Sequence, residues 1–342
     1  MQLQARRIFR LSATPALTLA IAYGLKLPMP FMAPLFAFMF VAIPGPPMGP
    51  KNLLELLLVV VITCSVGLLL IPLLLHYQLT ALLLVAVGLY FSTYLTVLKG
   101  KVLFGTFLTI GFTLISAAGT ISFSLAIMVI IGLAVGIGVA VLCQWIIYPW
   151  FPEDPAPAET QAAAVPATAQ SNWIALRSTA IVLPVYLIVL TNPGAYMAMI
   201  MKAVLLGQQT SMVNAKDAGR ELLGSTFLGG IFAVLFWSLL GISTNLWMFF
   251  LWMLLFCLYF ACKIYQLIST RYPASFWLNV AMTMLIMLGP AVEDSAGGSD
   301  VYAAFFSRMG LFIWVTLYAL LALYFLEYLR TRYFQKQVIS SL

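Results

Sequence analysis

Ionisable side chains stand in this chain where a lipid-facing sequence has no use for them. Lys202 lies inside the apolar run TNPGAYMAMIMKAVLLGQQ (residues 191–209), and Arg308 early in the run 303–326. A cation inside a membrane span costs roughly 2.5–3.5 kcal/mol on insertion scales, so each must face a polar cavity, a partner, or an interface reached by snorkelling. Between them, GQQTSMVNAKDAGRELLGSTFLGG (207–230) gathers Lys216, Asp217, Arg220 and Glu221 behind Gln208 and Gln209. On a helix Lys216 and Arg220 share a face, with Asp217 three residues from Arg220. Such a cluster can receive an anion, and it can equally be a solvated helix cap; the residues alone leave both open. Glu55, beside Lys51, is the comparable acid early in the chain. Asp217, Glu221 and Glu55 are the acids best placed to carry a proton, and each is also a natural salt-bridge partner for its neighbouring base.

The elements that position these groups follow from the solvent. The 342 residues are 63% hydrophobic and only 8% charged, so they cannot make a water-facing surface. Apolar runs near the roughly 20 residues needed to cross a bilayer recur at 53–75, 79–98, 102–121, 122–148, 222–242, 246–262, 274–292 and 303–326. They show no strict apolar–polar alternation, which argues for helices over an outer-membrane barrel. No cleavable signal peptide is expected at 11–25, where a small-residue cleavage site is missing. Ser225 with Gly229, Thr226 with Gly230, and Gly132 with Gly136 stand at four-residue spacing, which predicts close helix packing.

The net charge of +7 is spread in a pattern that orients the chain and does not point to nucleic acid. Arg6, Arg7 and Arg10, then Lys51, Lys99 with Lys101, Lys216 with Arg220, Lys263 with Arg271, and Arg330 to Lys336 fall at every second gap between spans. The intervening gaps carry Lys26, His76 and the acids Glu293, Asp294 and Asp300. This positive-inside pattern predicts both termini in the cytoplasm and about twelve crossings. Cys64, Cys143, Cys257 and Cys262 lie within apolar spans, and the single histidine reads as a loop residue. Neither a metal site nor a cofactor is expected.

Residues 151–172, FPEDPAPAETQAAAVPATAQSN, read as a cytoplasmic linker between two halves, 1–150 and 173–342, of six spans each. Arg10-Leu-Ser-Ala-Thr opens the first half and Arg177-Ser-Thr-Ala the second. The fold class expected is an all-α integral membrane protein of about twelve transmembrane helices, arranged as two parallel six-helix repeats. In each half the second span is short and broken: LPMPFMAPLFAFMFVAIPGPPMGPK (27–51) and the Lys202-bearing run. Paired interrupted segments at corresponding positions of two repeats point to a transport site, although kinked helices wedged in a bundle leave the same mark.

These residues resemble a family. Gln208-Gln-Thr-Ser followed by Arg220-Glu-Leu-Leu-Gly-Ser-Thr-Phe-Leu-Gly-Gly is similar to the Q-x-S … R-x-x-G-T-x-x-G signature of the fusaric acid resistance and aromatic acid exporter superfamily of bacterial inner-membrane proteins. The openings at Arg10 and Arg177 and the arginine at Arg308 resemble it too. The first half carries PGPPMGPKNLLELLL in place of the motif, and the large cytoplasmic domain of longer relatives is missing. The resemblance implies a multi-pass inner-membrane exporter of organic, often aromatic, acids that works with a periplasmic adaptor of the membrane-fusion class. Lys202, Gln208, Gln209, Arg220 and Arg308 are then the candidate substrate-binding residues, and export driven by protons is the leading expectation. A passive anion channel is the nearest rival, and homo-oligomerisation stays open. A membrane-embedded transferase would need a cluster of acids or a histidine base that the chain does not offer. A scaffold for the adaptor alone would tolerate loss of Lys202 and Arg308. The bilayer, the adaptor and a small organic anion are thus the expected partners, with no nucleic acid and no enzymatic activity.

Overall fold

The computed structural model describes residues 2–100, 102–154, 168–209, 215–298 and 300–340. Among the described residues there is no strand. Twelve helices follow one another: α1 (Leu3–Gly24), α2 (Met32–Ala42), α3 (Pro50–His76), α4 (Gln78–Lys99), α5 (Val102–Ile121), α6 (Phe123–Ile147), α7 (Thr168–Thr191), α8 (Pro193–Gln209), α9 (Ala215–Leu240), α10 (Leu246–Ile264), α11 (Ala274–Ala296) and α12 (Val301–Ser340). Nine of them are long and apolar enough to cross a membrane among the described residues, so the chain is a multi-pass helical membrane protein. The helices α2 and α8 are the short apolar ones, 11 and 17 residues, where the prolines and glycines of the second spans had suggested interruption.

Two units divide these helices, and neither unit is one half of the sequence. The first takes residues 1–62, 124–163 and 225–309; the second takes 63–123, 164–224 and 310–342. In the first, α1 packs on α2 and on α10, α10 packs on α11, and α11 returns to α2. In the second, α7 packs on α8 and on α4, α4 packs on α5, and α5 returns to α8. Each unit therefore contains a closed ring of four helices, and advancing every label by six places converts one set of pairings into the other. Helices α4 and α5 serve the unit that holds α7 and α8, while α10 and α11 serve the unit that holds α1 and α2.

Small residues set the closest approaches. A methyl group at Gly229 of α9 would come within 2.7 Å of Thr283 Cβ and 2.8 Å of the Val280 carbonyl oxygen on α11. One at Gly132 of α6 would meet Met29 at 2.8 Å. Ser225 and Thr226 are fully buried on the same stretch of α9. The four-residue spacing of small side chains thus does what the sequence predicts. Gly229→Leu is expected to cost about 1–3 kcal/mol through overpacking, read as a lower unfolding midpoint in detergent; an unchanged midpoint would show that α11 yields freely.

Proline and hydroxyl chemistry shape the second unit. Pro184 in α7 has no N–H, which leaves the carbonyl of Ala180, four residues earlier, without its helical partner. The Tyr318 hydroxyl of α12 donates to that carbonyl at 2.7 Å. A backbone group freed inside a membrane needs such a donor, because lipid offers none. Tyr318→Phe is expected to destabilise by about 1–3 kcal/mol, checked by the same unfolding measurement; loss of less than 0.5 kcal/mol, roughly the scatter of neutral substitutions, would mean that another donor substitutes.

Candidate functional site

Lys202 is the most unusual side chain of the second unit. Helix α8 begins at Pro193, whose fixed φ suits a first helical position, and Asn192 Oδ1 accepts from the Ala195 N–H at 3.4 Å. From there Met199, Ile200, Ala203, Val204 and Leu206 bury the helix against its neighbours. Lys202 falls within this buried stretch and is only 3% exposed. An ammonium has no place in an apolar wall, and the helices that α8 packs on, α5 and α7, carry hydroxyls.

Hydroxyls of α4, α5 and α7 form short networks. Ser92 Oγ donates to the Gly105 carbonyl at 2.6 Å and shares a hydrogen bond with Thr109 Oγ1 at 2.7 Å. Ser116 Oγ and Tyr186 Oη, both fully buried, lie 2.8 Å apart and join α5 to α7. Just before Ser116, residues Gly111–Ile115 widen α5 into a π-helical turn. Gly111 allows this because any Cβ there would strike the Thr63 carbonyl of α3. Single π turns inside α-helices recur at functional sites.

The other residues singled out by the sequence are distributed as follows. Arg308, in the first unit, forms an ion pair with Asp294, Nη1 to Oδ2 at 2.6 Å, without the alignment of a hydrogen bond. Glu55 is exposed on the first turns of α3. Glu221 is buried near the start of α9. Gln208 and Gln209 close α8, and Lys216, Asp217 and Arg220 belong to the first turns of α9; the side chains of these five lie outside the described residues. Among the described residues no three His, Cys, Asp or Glu side chains gather as metal ligands.

Two ion-pair clusters escaped the sequence reading. In the first unit Arg10 of α1, 1% exposed, donates to Glu153 Oε2 at 2.8 Å, and Arg7 donates through Nε to Oε1 at 2.6 Å and through Nη2 to the same oxygen. Arg6 binds both oxygens of Asp154, at 2.8 and 2.9 Å, and the Pro152 carbonyl at 3.0 Å. The Tyr148 ring lies 5.7 Å from the Arg10 guanidinium. In the second unit Arg177 of α7 donates to Glu327 of α12 at 2.9 Å, where Trp173 Nε1 also donates at 3.2 Å, and Arg330 stands over the Trp173 ring at 5.7 Å. The two arginines that open the halves therefore do the same thing in each unit. Their partners were invisible because Glu153 sits in a Pro/Ala-rich stretch that looks like free linker, and Glu327 in the tail of the last helix.

Burial alone would raise the Glu153 carboxyl, but hydrogen bonds from Arg7 and Arg10, and their charges, outweigh it and hold the group below its ordinary value. A carboxyl held low when folded adds stability above the pKa of the unfolded chain and loses it as pH falls through the folded value. The stability gap between the wild type and Glu153→Gln is therefore expected to be full at neutral pH and to shrink below about pH 4.3. Denaturation at stepped pH checks this, and a gap that grows on acidification would contradict the ion pair.

Residues 7–147, from the first turns of α1 to the last residue of α6, match a family described as a protein of unknown function, DUF2955. No curated protein and no solved structure matches the chain.

Proposed function

We propose that the chain is an inner-membrane efflux transporter that exports small organic or aromatic acids, built from two six-helix repeats and driven by protons. The observation that carries this reading is Lys202, a buried cation on a helix of 17 residues. At roughly 1.5 Å per residue that helix is about 25 Å long, short of a hydrocarbon layer of about 30 Å. Its counterpart α2 is shorter still, in a ring with the same pairings. Paired short helices in two repeats mark binding sites in transporters, and a buried ammonium is suited to a carboxylate. That the matched family stretch ends where α6 ends supports a six-helix repeat as the module. In this reading Gln208, Gln209, Arg220 and Arg308 extend the path, Asp217, Glu221 and Glu55 are the protonatable groups, and a periplasmic membrane-fusion adaptor completes the route outward.

The test is accumulation of radiolabelled benzoate in inverted membrane vesicles energised by a proton gradient. Uptake above the equilibrium level that an uncoupler abolishes is expected. Uptake to equilibrium only, indifferent to the uncoupler, would make the protein an anion channel, and no protein-dependent uptake of any carboxylate would remove the transport reading. Topology is tested separately: single cysteines at 156–170 are expected to be protected from an impermeant thiol reagent in intact cells, and those at 295–299 labelled. The reverse pattern would overturn the twelve-span orientation.

A further inference from the structure

We propose that the guanidinium cluster of Arg6, Arg7 and Arg10, together with the Tyr265 hydroxyl, is a binding site for a small free monocarboxylate, which Glu153 occupies here as an internal ligand. The first reason is an imbalance of donors. Three guanidiniums face the two carboxylates of Glu153 and Asp154. Among the described residues Arg6 Nε, Arg10 Nε and Tyr265 Oη are shut away from solvent with no hydrogen-bond acceptor. Burial pushes the Tyr265 phenol up, against the pull of Arg10 and Arg7, so the hydroxyl keeps its proton and remains a donor. A buried donor without an acceptor is costly, and a free carboxylate, unlike one tethered to the backbone at Glu153, can turn its oxygens toward these donors.

The second reason is how Glu153 is held. Its carboxylate takes both arginines, Oε1 from Arg7 and Oε2 from Arg10, while its backbone N–H donates to Tyr148 Oη at 3.4 Å. What the cluster recognises is thus a carboxylate group, and any carboxylate presents the same two oxygens to the same forks. Glu153 also stands on non-helical backbone beyond the end of α6. Glu327, its counterpart in the second unit, is built into α12. Beside the site lie Tyr148 and the stacked rings of Phe9 and Phe151, 5.6 Å apart, which suit a carboxylate attached to an aromatic ring. The site shares its ligand class with the exporter reading, but binding is measured without any gradient, so failure of transport and failure of this site are distinguishable.

The experiment is chemical rescue in the purified full chain. Glu153→Ala is expected to melt below the wild type, and sodium acetate or benzoate to raise its midpoint, with sodium chloride at equal ionic strength as control. The apparent carboxylate affinity of Glu153→Ala is expected to exceed that of the wild type at least about tenfold, because the internal competitor is gone. Adding Arg10→Gln to Glu153→Ala is expected to abolish the rescue. Should Glu153→Ala fail to fold, Glu153→Gln keeps the shape and is titrated with ¹³C-acetate by NMR line broadening, with the same expectation. Equal response of wild type and variant, no response in either, or rescue that survives Arg10→Gln would each overturn the site.

Discussion

Lys202→Met is expected to weaken benzoate export by about ten to a hundredfold in apparent affinity. Removing a charge-assisted hydrogen bond to a substrate carboxylate costs roughly 1.5–3 kcal/mol, which is the stated loss in affinity. Lys202 is 3% exposed, so water does little to screen that interaction. Benzoate export from loaded vesicles, at matched protein levels, decides it, with Lys336→Gln as control. Arg220→Gln is expected to follow Lys202→Met in transport. Wild-type kinetics in both variants would assign these cations to structure alone.

The second large effect lies at the openings of the halves. Arg10→Ala leaves Glu153, whose side chain is only 8% exposed, with Arg7 as its one remaining guanidinium, and is expected to cost about 1.5–3 kcal/mol. Arg177→Ala leaves Glu327, which is 27% exposed, with Trp173 and Arg330, so water and these groups compensate part of the loss and the cost is expected to be smaller, below about 1.5 kcal/mol. Denaturation in mixed micelles gives both values. Equal costs, or the reverse order, would mean that the two clusters do not owe their strength to burial.

Much of the architecture was legible in the sequence. The lipid-facing composition and the run lengths gave the helices, and the prolines and glycines of 27–51 and 191–209 announced the short α2 and α8. The depth of Lys202 could be read from its apolar neighbours. Its surroundings could not, since Ser116 and Tyr186 lie 70 residues apart in the chain and only packing brings them to 2.8 Å. The partner of Arg308 was hidden because Asp294 lies beyond the apolar run 274–292, whereas α11 runs on to Ala296 and carries the acid that pairs with it. The π turn of α5 was equally hidden, for it depends on how closely α3 approaches Gly111 and not on local propensity.

The exchange of helix pairs between rings sets a timetable for biosynthesis. The ring of α4, α5, α7 and α8 is complete once residue 209 has been made. The ring that contains the N-terminal helices waits for α10 and α11, the latter ending at Ala296. At 5–20 residues per second, α1 and α2 therefore spend roughly ten seconds or more in the membrane without the helices they pack on. The unit that starts first closes last, and a ribosome stalled between residues 209 and 246 would hold one finished ring and one open one.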